Sequence, residues 1–259
     1  MGGRPQTVRE IFPDPPEGLD PSALELSRIP AHVAVIMDGN GRWATSRGLT
    51  RGEGHKAGVR AVRELITTAN DIGVRYLTIY SFSTENWKRP ASEVTGLMEL
   101  FASVMADELD GLDAEHVRIR LLGDVTELPL ATRTIFQTAE RRTAANDGMT
   151  LAIAVNYGAR SEIVSAARSL AEDAVTGSLE PADIDEDAFA GRLFTAGMPE
   201  VDLLVRTSGE MRLSNFLLWQ LAYSELYVTD VLWPDFDRYE FLRALLAYQS
   251  RERRFGTVV

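Results

Sequence analysis

A single α/β domain, built on a central six-stranded, mainly parallel sheet flanked by helices, follows from three features of the 259-residue sequence. Six short apolar runs rich in β-branched residues recur along the chain. Longer segments with apolar residues at helical spacing separate them, and such alternation favours parallel strands covered by helices. Hydrophobic residues make up 45% of the chain, enough for one sizeable core.

Residues 1–27 are rich in Pro, Gly and charge and read as a loosely ordered lead-in, leaving residues 28–259 as the domain. The strand candidates are HVAVIM, RYLTIYSF, VRIRLL, LAIAVNY, VDLLVR and ELYVTDV. Between them HKAGVRAVRELITTANDIG, SEVTGLMELFASVMADELDGL, LATRTIFQTAERRTAAN and ARSEIVSAARSLAEDAV are helical, as is the closing RYEFLRALLAYQSRER. The acids of Asp183 to Asp187 suit a helix start, where the dipole favours negative charge. In an open sheet of this kind ligands bind at the carboxyl ends of the strands. The polar residues just after each strand are therefore the candidates for chemistry.

The net charge of −11 disfavours nucleic acid and anionic lipid surfaces, so a phosphate site must be a local basic cluster in an acidic body. The absence of cysteine removes disulfides, thiolate zinc sites and thiol nucleophiles, and fits a cytoplasmic setting. Neither a spanning apolar stretch nor a signal-peptide pattern occurs, which predicts a soluble protein. His32, His55 and His116 lack metal-ligand spacing; His32 opens a strand and His116 precedes one, so both read as structural.

The first strand runs into MDGNGRWA. Gly39 and Gly41 let backbone amides approach an anion, a helix start adds partial positive charge, and Arg42 offers a fork of donors. Asp38 is out of place in an anion cradle unless a cation such as Mg²⁺ joins it to a phosphate. An N-cap role for Asp38 is the alternative. A dinucleotide fingerprint with Ala44 in its third position also fits, but the acid it requires about 20 residues on falls within a helix.

Three further clusters follow. Arg51 and His55 share a face if the helix has begun by Arg51, although solvated charge explains either alone. SFSTENWKRP gathers Ser83, Thr84, Glu85, Asn86, Trp87 and Arg89 at the end of the second strand, with Trp87 as a core anchor under Arg89 the plainer reading. After the fifth strand come Arg206, Thr207, Ser208, Arg212, Leu213 and Ser214, and the two arginines converge only if TSG forms a loop. Glu225, in an apolar run, needs an arginine or a metal.

No Walker A loop, GxSxG elbow, HExxH or DDxxD motif is present. Two arginine-rich anion pockets without a nucleophile suggest a transferase acting on two phosphorylated substrates. MDGNGRWA, GHKAG, FSTENWKRP, NYGAR, RTSGE with RLSNFLLWQ, and YSELY occur in order between His32 and Phe255. In these the chain closely resembles the cis-prenyltransferases, the undecaprenyl diphosphate synthase family, most of all its bacterial undecaprenyl and decaprenyl members. Ala159, where the family usually has glycine, is a minor departure, as is Met211.

The resemblance implies condensation of isopentenyl diphosphate onto an allylic diphosphate, farnesyl or geranyl, to give a long cis-polyprenyl diphosphate for cell-wall lipid carriers. It implies that Asp38 binds Mg²⁺ and that Gly39, Asn40, Gly41, Arg42, Trp43, Arg51 and His55 hold the allylic diphosphate. Ser83, Thr84, Glu85, Asn86, Trp87 and Arg89 would form the loop over the reacting carbons, with Asn86 a candidate near the departing proton. Arg206, Arg212, Leu213 and Ser214 would take isopentenyl diphosphate. Glu225 would be a second metal contact across a homodimer, with the terminal RRFG reaching the partner's site. A growing chain needs an apolar tunnel, for which Leu97, Leu100, Phe101, Val104 and Met105 are available, though such a stripe also suits ordinary core. Ser81 before Phe82 points to a medium or long product. Release of a long product implies transient contact with a membrane surface. A short-chain synthase and a non-catalytic partner subunit are the alternatives.

Overall fold

Each of the six apolar runs forms a strand, and those at His32–Ile36, Thr150–Tyr157 and Leu203–Arg206 are buried on both faces, while the edge strand Glu225–Val228 is half-exposed. In β1 (His32–Ile36), Val33 and Val35 enter one core while Ala34 and Ile36 enter another on the opposite face. The structure, a computed structural model, describes residues 7–251. In chain order it comprises α1 (Val8–Ile11), β1, α2 (Asn40–Thr45), α3 (Arg51–Asp71), β2 (Tyr76–Ser83), α4 (Ala91–Ala114), β3 (Arg118–Leu122) and α5 (Leu130–Arg142). Then follow β4 (Thr150–Tyr157), α6 (Ala159–Thr176), α7 (Glu186–Ala190), β5 (Leu203–Arg206), β6 (Glu225–Val228) and α8 (Arg238–Gln249).

The strand order is β3-β4-β2-β1-β5-β6 and every pairing is parallel, so the sheet is wholly rather than mainly parallel. Side chains from α3, α4, α5 and α8 meet one face of the sheet. Ala159 at the start of α6 and the segment around Phe216 and Leu221 pack on the other. The register places Ile36 beside both Tyr80 and Arg206. The carboxyl ends of β1, β2 and β5 thus lie side by side, and the residues after them form one edge.

α3 begins at Arg51, before the run that predicted it, because Thr50 and Glu53 form a capping box. The glycines of GHKAG have a packing cause. A Cβ on Gly54 would lie 2.2 Å from Asn40 O, and one on Gly58 would lie 2.3 Å from Asn40 Oδ1. Only glycine lets α2 settle against α3 so closely.

The described part of the lead-in, residues 7–27, is not loose. From Thr7 onward it is ordered, with a capping box on α1 and with Ile11, Phe12 and Leu24 buried in the main core. Arg238 donates to Ile11 O, and Glu25 and Gln249 exchange two hydrogen bonds. Proline and charge suggested disorder, but a few apolar anchors outweigh composition when a groove receives them. The terminal RRFG lies outside the described residues. Among the described residues, no helix is long and apolar enough to cross a membrane.

The anchoring of residues 7–27 is testable. Phe12→Ala empties a fully buried site and should cost about 3–5 kcal/mol, read as a lower urea midpoint. An unchanged midpoint would mean that the segment contributes nothing.

Candidate active site

Asp38 follows β1, and its backbone is held from two sides. Its N–H donates to Thr207 Oγ1 at 2.9 Å, and its carbonyl accepts from Trp233 N at 3.0 Å. The helix that follows is capped by Gly39 in the left-handed region (φ 110°), without a side-chain cap, so Asp38 is not an N-cap. A Cβ on Gly39 would also press on Leu232 and Ser208 at 3.0–3.1 Å, so glycine is required on both counts. The Asp38 carboxylate, not spent on capping, lines the cavity.

Two guanidiniums meet it. Arg206 Nη2 reaches Asp38 Oδ2 at 2.9 Å, and Arg42 Nη2 lies 3.5 Å from Oδ1. Arg206 is buried, and its Nη1 donates to Ser214 Oγ at 2.9 Å and also to the Arg212 carbonyl. The TSG loop thus brings Ser214 onto Arg206. Glu210 pairs with both Arg212 and Arg42. The loop is strained, with positive φ at Ser208, Ser214, Asn215 and Leu217, a pattern that concentrates at functional sites.

A second group forms around Glu93 at the start of α4. Arg89 lies 3.0 Å from Glu93 Oε1, Arg51 3.4 Å and His55 3.9 Å. Arg51 and His55 do share a face, and Arg51 lies over Gly41, where a Cβ would sit 3.4 Å from its guanidinium carbon. Arg89 meets Glu93 rather than stacking on Trp87. Trp87 is partly exposed, packs edge-on to Phe82 and donates to Asn156 Oδ1 at 2.7 Å. Glu93 was not singled out from sequence, although the spacing Arg89-x-x-x-Glu93 at a helix start was the available signal.

The remaining predicted residues divide. Ser83 N–H donates to Asn86 Oδ1 at 3.0 Å, which fixes the amide, and Asn86 lines the cavity. Thr84 lies against Gly158, where a Cβ would meet its Oγ1 at 2.7 Å. Leu213 packs on the second core. Trp43 is not brought to the cavity: its ring donates to Asp235 Oδ1 at 2.7 Å and lies beneath Arg47. Glu225 opens β6 level with Leu203, roughly 10 Å down the strands from the edge, and binds Arg251 at 2.7 Å. Within one chain it does not share a site with Asp38; the arginine it needed is Arg251.

Part of this constellation heads a cavity of about 1120 Å³, whose lining does not include Arg42 or Arg51. Asp38, His55, Asn86, Arg206, Arg212 and Ser214 line its polar end. The cavity continues between α3 and α4 along Val59, Val62, Leu97, Leu100, Phe101, Val104 and Met105 as far as Leu112, so the α4 stripe is a tunnel wall. Ser81 also lines it. His55 Nε2, Arg206 Nε and Asn40 Oδ1 are buried without hydrogen-bond partners. Orphaned N–H groups beside a carboxylate are what a bound anion with a bridging cation would satisfy.

Burial, together with the Arg89 and Arg51 charges and against the pull of Glu93, holds His55 down to about 4. The unfolded chain, near 6.5, binds a proton that the folded chain refuses. Stability therefore falls as pH drops from about 6.5 toward 4. His55→Gln should flatten the pH dependence of the urea midpoint in that window; an identical slope in wild type and variant would refute the assignment.

A profile of the family described as "Putative undecaprenyl diphosphate synthase" matches residues 36–256. The isoprenyl transferase of Bacillus subtilis is 53% identical over 230 residues, covering 89% of this chain and 88% of that protein. One from Prochlorococcus marinus is 50% identical over 238 residues, covering 92% and 90%. Among solved structures, lavandulyl diphosphate synthase from Lavandula x intermedia, in complex with dimethylallyl diphosphate, superposes with a TM-score of 0.86 at 40% identity. It covers 88% of this chain and 99% of its own. A "probable undecaprenyl diphosphate synthase" from Campylobacter jejuni gives a TM-score of 0.73 at 32% identity, with the same coverage.

Proposed function

Because the chain belongs to the undecaprenyl diphosphate synthase family and is an isoprenyl transferase, we propose that it joins isopentenyl diphosphate to an allylic diphosphate, most simply farnesyl diphosphate, repeatedly, to give a long cis-polyprenyl diphosphate of the undecaprenyl type. One observation carries this reading: a single cavity joins an arginine-lined head to an apolar stem running down α3 and α4. At about 1120 Å³ it exceeds the roughly 300–1,000 Å³ of ordinary small-molecule pockets. From Leu97 to Leu112 the wall extends roughly 22 Å at the helical rise. A stem that deep favours a long product over a fifteen-carbon one.

Asp38 suits Mg²⁺, which when bound would supply charge to a departing diphosphate. Arg42, Arg51 and His55, with the α2 start, would hold the allylic diphosphate; Arg206, Arg212 and Ser214 would hold isopentenyl diphosphate. The allylic carbon–oxygen bond breaks, the isopentenyl alkene forms the new carbon–carbon bond, and a proton leaves the isopentenyl unit. Asn86, whose Nδ2 remains available, orients that unit, and the proton passes to a diphosphate oxygen. Such chemistry asks mainly for positioning and for stabilisation of the departing anion. Each methylene that enters the stem contributes about 0.8 kcal/mol, so product leaves slowly. A homodimer with Glu225 toward the partner's site, a cytoplasmic location and transient membrane-surface contact complete the proposal.

The test is incubation with labelled isopentenyl diphosphate, Mg²⁺ and farnesyl or geranyl diphosphate, followed by sizing of the product. A fifteen-carbon product alone would overturn the chain length, and no condensation at all would favour a non-catalytic subunit. Arg206→Gln, which loses charge-assisted bonds of about 1.5–3 kcal/mol, should lower kcat/KM roughly ten- to a hundredfold. Asp38→Ala should lose more than that. Val104→Trp, which fills the stem, should shorten the product without abolishing the first condensation.

A further inference from the structure

We infer that Asn215 is a positioning residue that couples the Glu85 side of the site to the Arg206–Ser214 side. It carries no charge, yet three segments meet on it. Its Nδ2 donates to Glu85 Oε1 at 2.9 Å, after β2. Its Oδ1 accepts from Arg160 N at 2.9 Å and its carbonyl from Ala159 N at 2.8 Å, both at the start of α6. Ser214, the preceding residue, holds the Arg206 guanidinium.

The backbone and the neighbours make this junction specific. Asn215 has φ 60°, a conformation that asparagine tolerates better than most residues. Gly158 leaves the space it needs, since a Cβ there would lie 2.8 Å from Asn215 Nδ2. The bond to Asn215 also helps hold the Glu85 carboxyl below the usual range, against its partial burial. Alanine would lose both side-chain bonds. Aspartate would keep the acceptor for Arg160 N but set a second carboxylate against Glu85. A displaced Glu85 or Asn215 would shift Ser214, and with it the donors around Arg206.

The inference rests on the proposed reading that Arg206 and Ser214 hold a diphosphate, and its test is arranged to separate the two. Wild type, N215D, E85Q and the double variant E85Q/N215D, each in the full chain, are compared by calorimetric binding of inorganic pyrophosphate and by KM for isopentenyl diphosphate. In N215D both constants should weaken about tenfold, with kcat changing less. In E85Q/N215D the amide introduced at position 85 can donate to the carboxylate introduced at position 215. The bond then returns with reversed polarity, and the constants should recover to within about threefold of E85Q. Constants within twofold of wild type in N215D would overturn the coupling, as would losses in the double variant equal to the product of the single ones. A lowered urea midpoint with unchanged constants would also overturn it, since the role would then be structural only. If N215D does not fold, N215S, which keeps an acceptor but cannot reach Glu85, takes its place. A wild type that binds pyrophosphate but turns nothing over would defeat the proposed reaction alone.

Discussion

A guanidinium enclosed at the end of β5 is the constraint on which the site depends. Arg206 is 4% exposed, and a buried charge without a counter-charge is costly. Its partner must come from the neighbouring strand, and the parallel register supplies it: Ile36 lies beside Arg206, so Asp38, two residues on, reaches its Nη2. Thr207 and Trp233 hold the Asp38 backbone, which fixes the carboxylate against the guanidinium. The same register places the glycine-rich start of α2 beside the loop after β5. Two anion-binding elements distant in sequence thereby share one edge.

Each of the five arginines of the head has a carboxylate partner, although they share only three carboxylates. Arg206 and Arg42 face Asp38, Arg42 and Arg212 face Glu210, and Arg51 and Arg89 face Glu93. An acidic protein thus keeps a basic cluster without leaving its charges unpaired. In the proposed reading a diphosphate would exchange internal carboxylates for its own oxygens, the donors being oriented before it arrives. The stem is lined mainly by apolar side chains, and the charged Arg63 and Glu108 among them pair with each other.

Holding this geometry has a conformational cost. Ser208, Ser214, Asn215 and Leu217 adopt positive φ, each unfavourable by about 1–3 kcal/mol. Hydrogen bonds and packing behind the loop offset it. Tyr80 stacks on Phe216 with centroids 4.3 Å apart and its hydroxyl donates to Ser214 O. Behind Phe216, Tyr157 and Gln220 donate to the buried Glu162, whose carboxyl burial pushes upward despite those donors. The second core is in this sense the support of the anion loop.

Strands, principal helices and most of the residues that line the polar end of the cavity were legible in the sequence because each rests on local pattern. Alternating apolar runs, helical spacing, and glycines beside Asp38 and arginines need no distant partner to be recognised. Residues 7–27 read as loose for the complementary reason: their order comes from burial of Ile11, Phe12 and Leu24 in the main core and from hydrogen bonds to Arg238 and Gln249 of α8, which composition cannot reveal. Trp43 and Glu225 sit in motifs of the site, yet their hydrogen-bond and charge partners are Asp235 and Arg251, each far along the chain. Glu93 and Asn215 carry little local signal, because their importance lies in joining segments that only folding brings together. The sequence by itself determined the α/β class, the parallel sheet and the chemistry of the donors, all set by side-chain type and period. Which carboxylate meets which arginine, and that the α3–α4 stripe lines a cavity while Leu97 and Met105 also pack into the cores, were decided by strand register and helix packing.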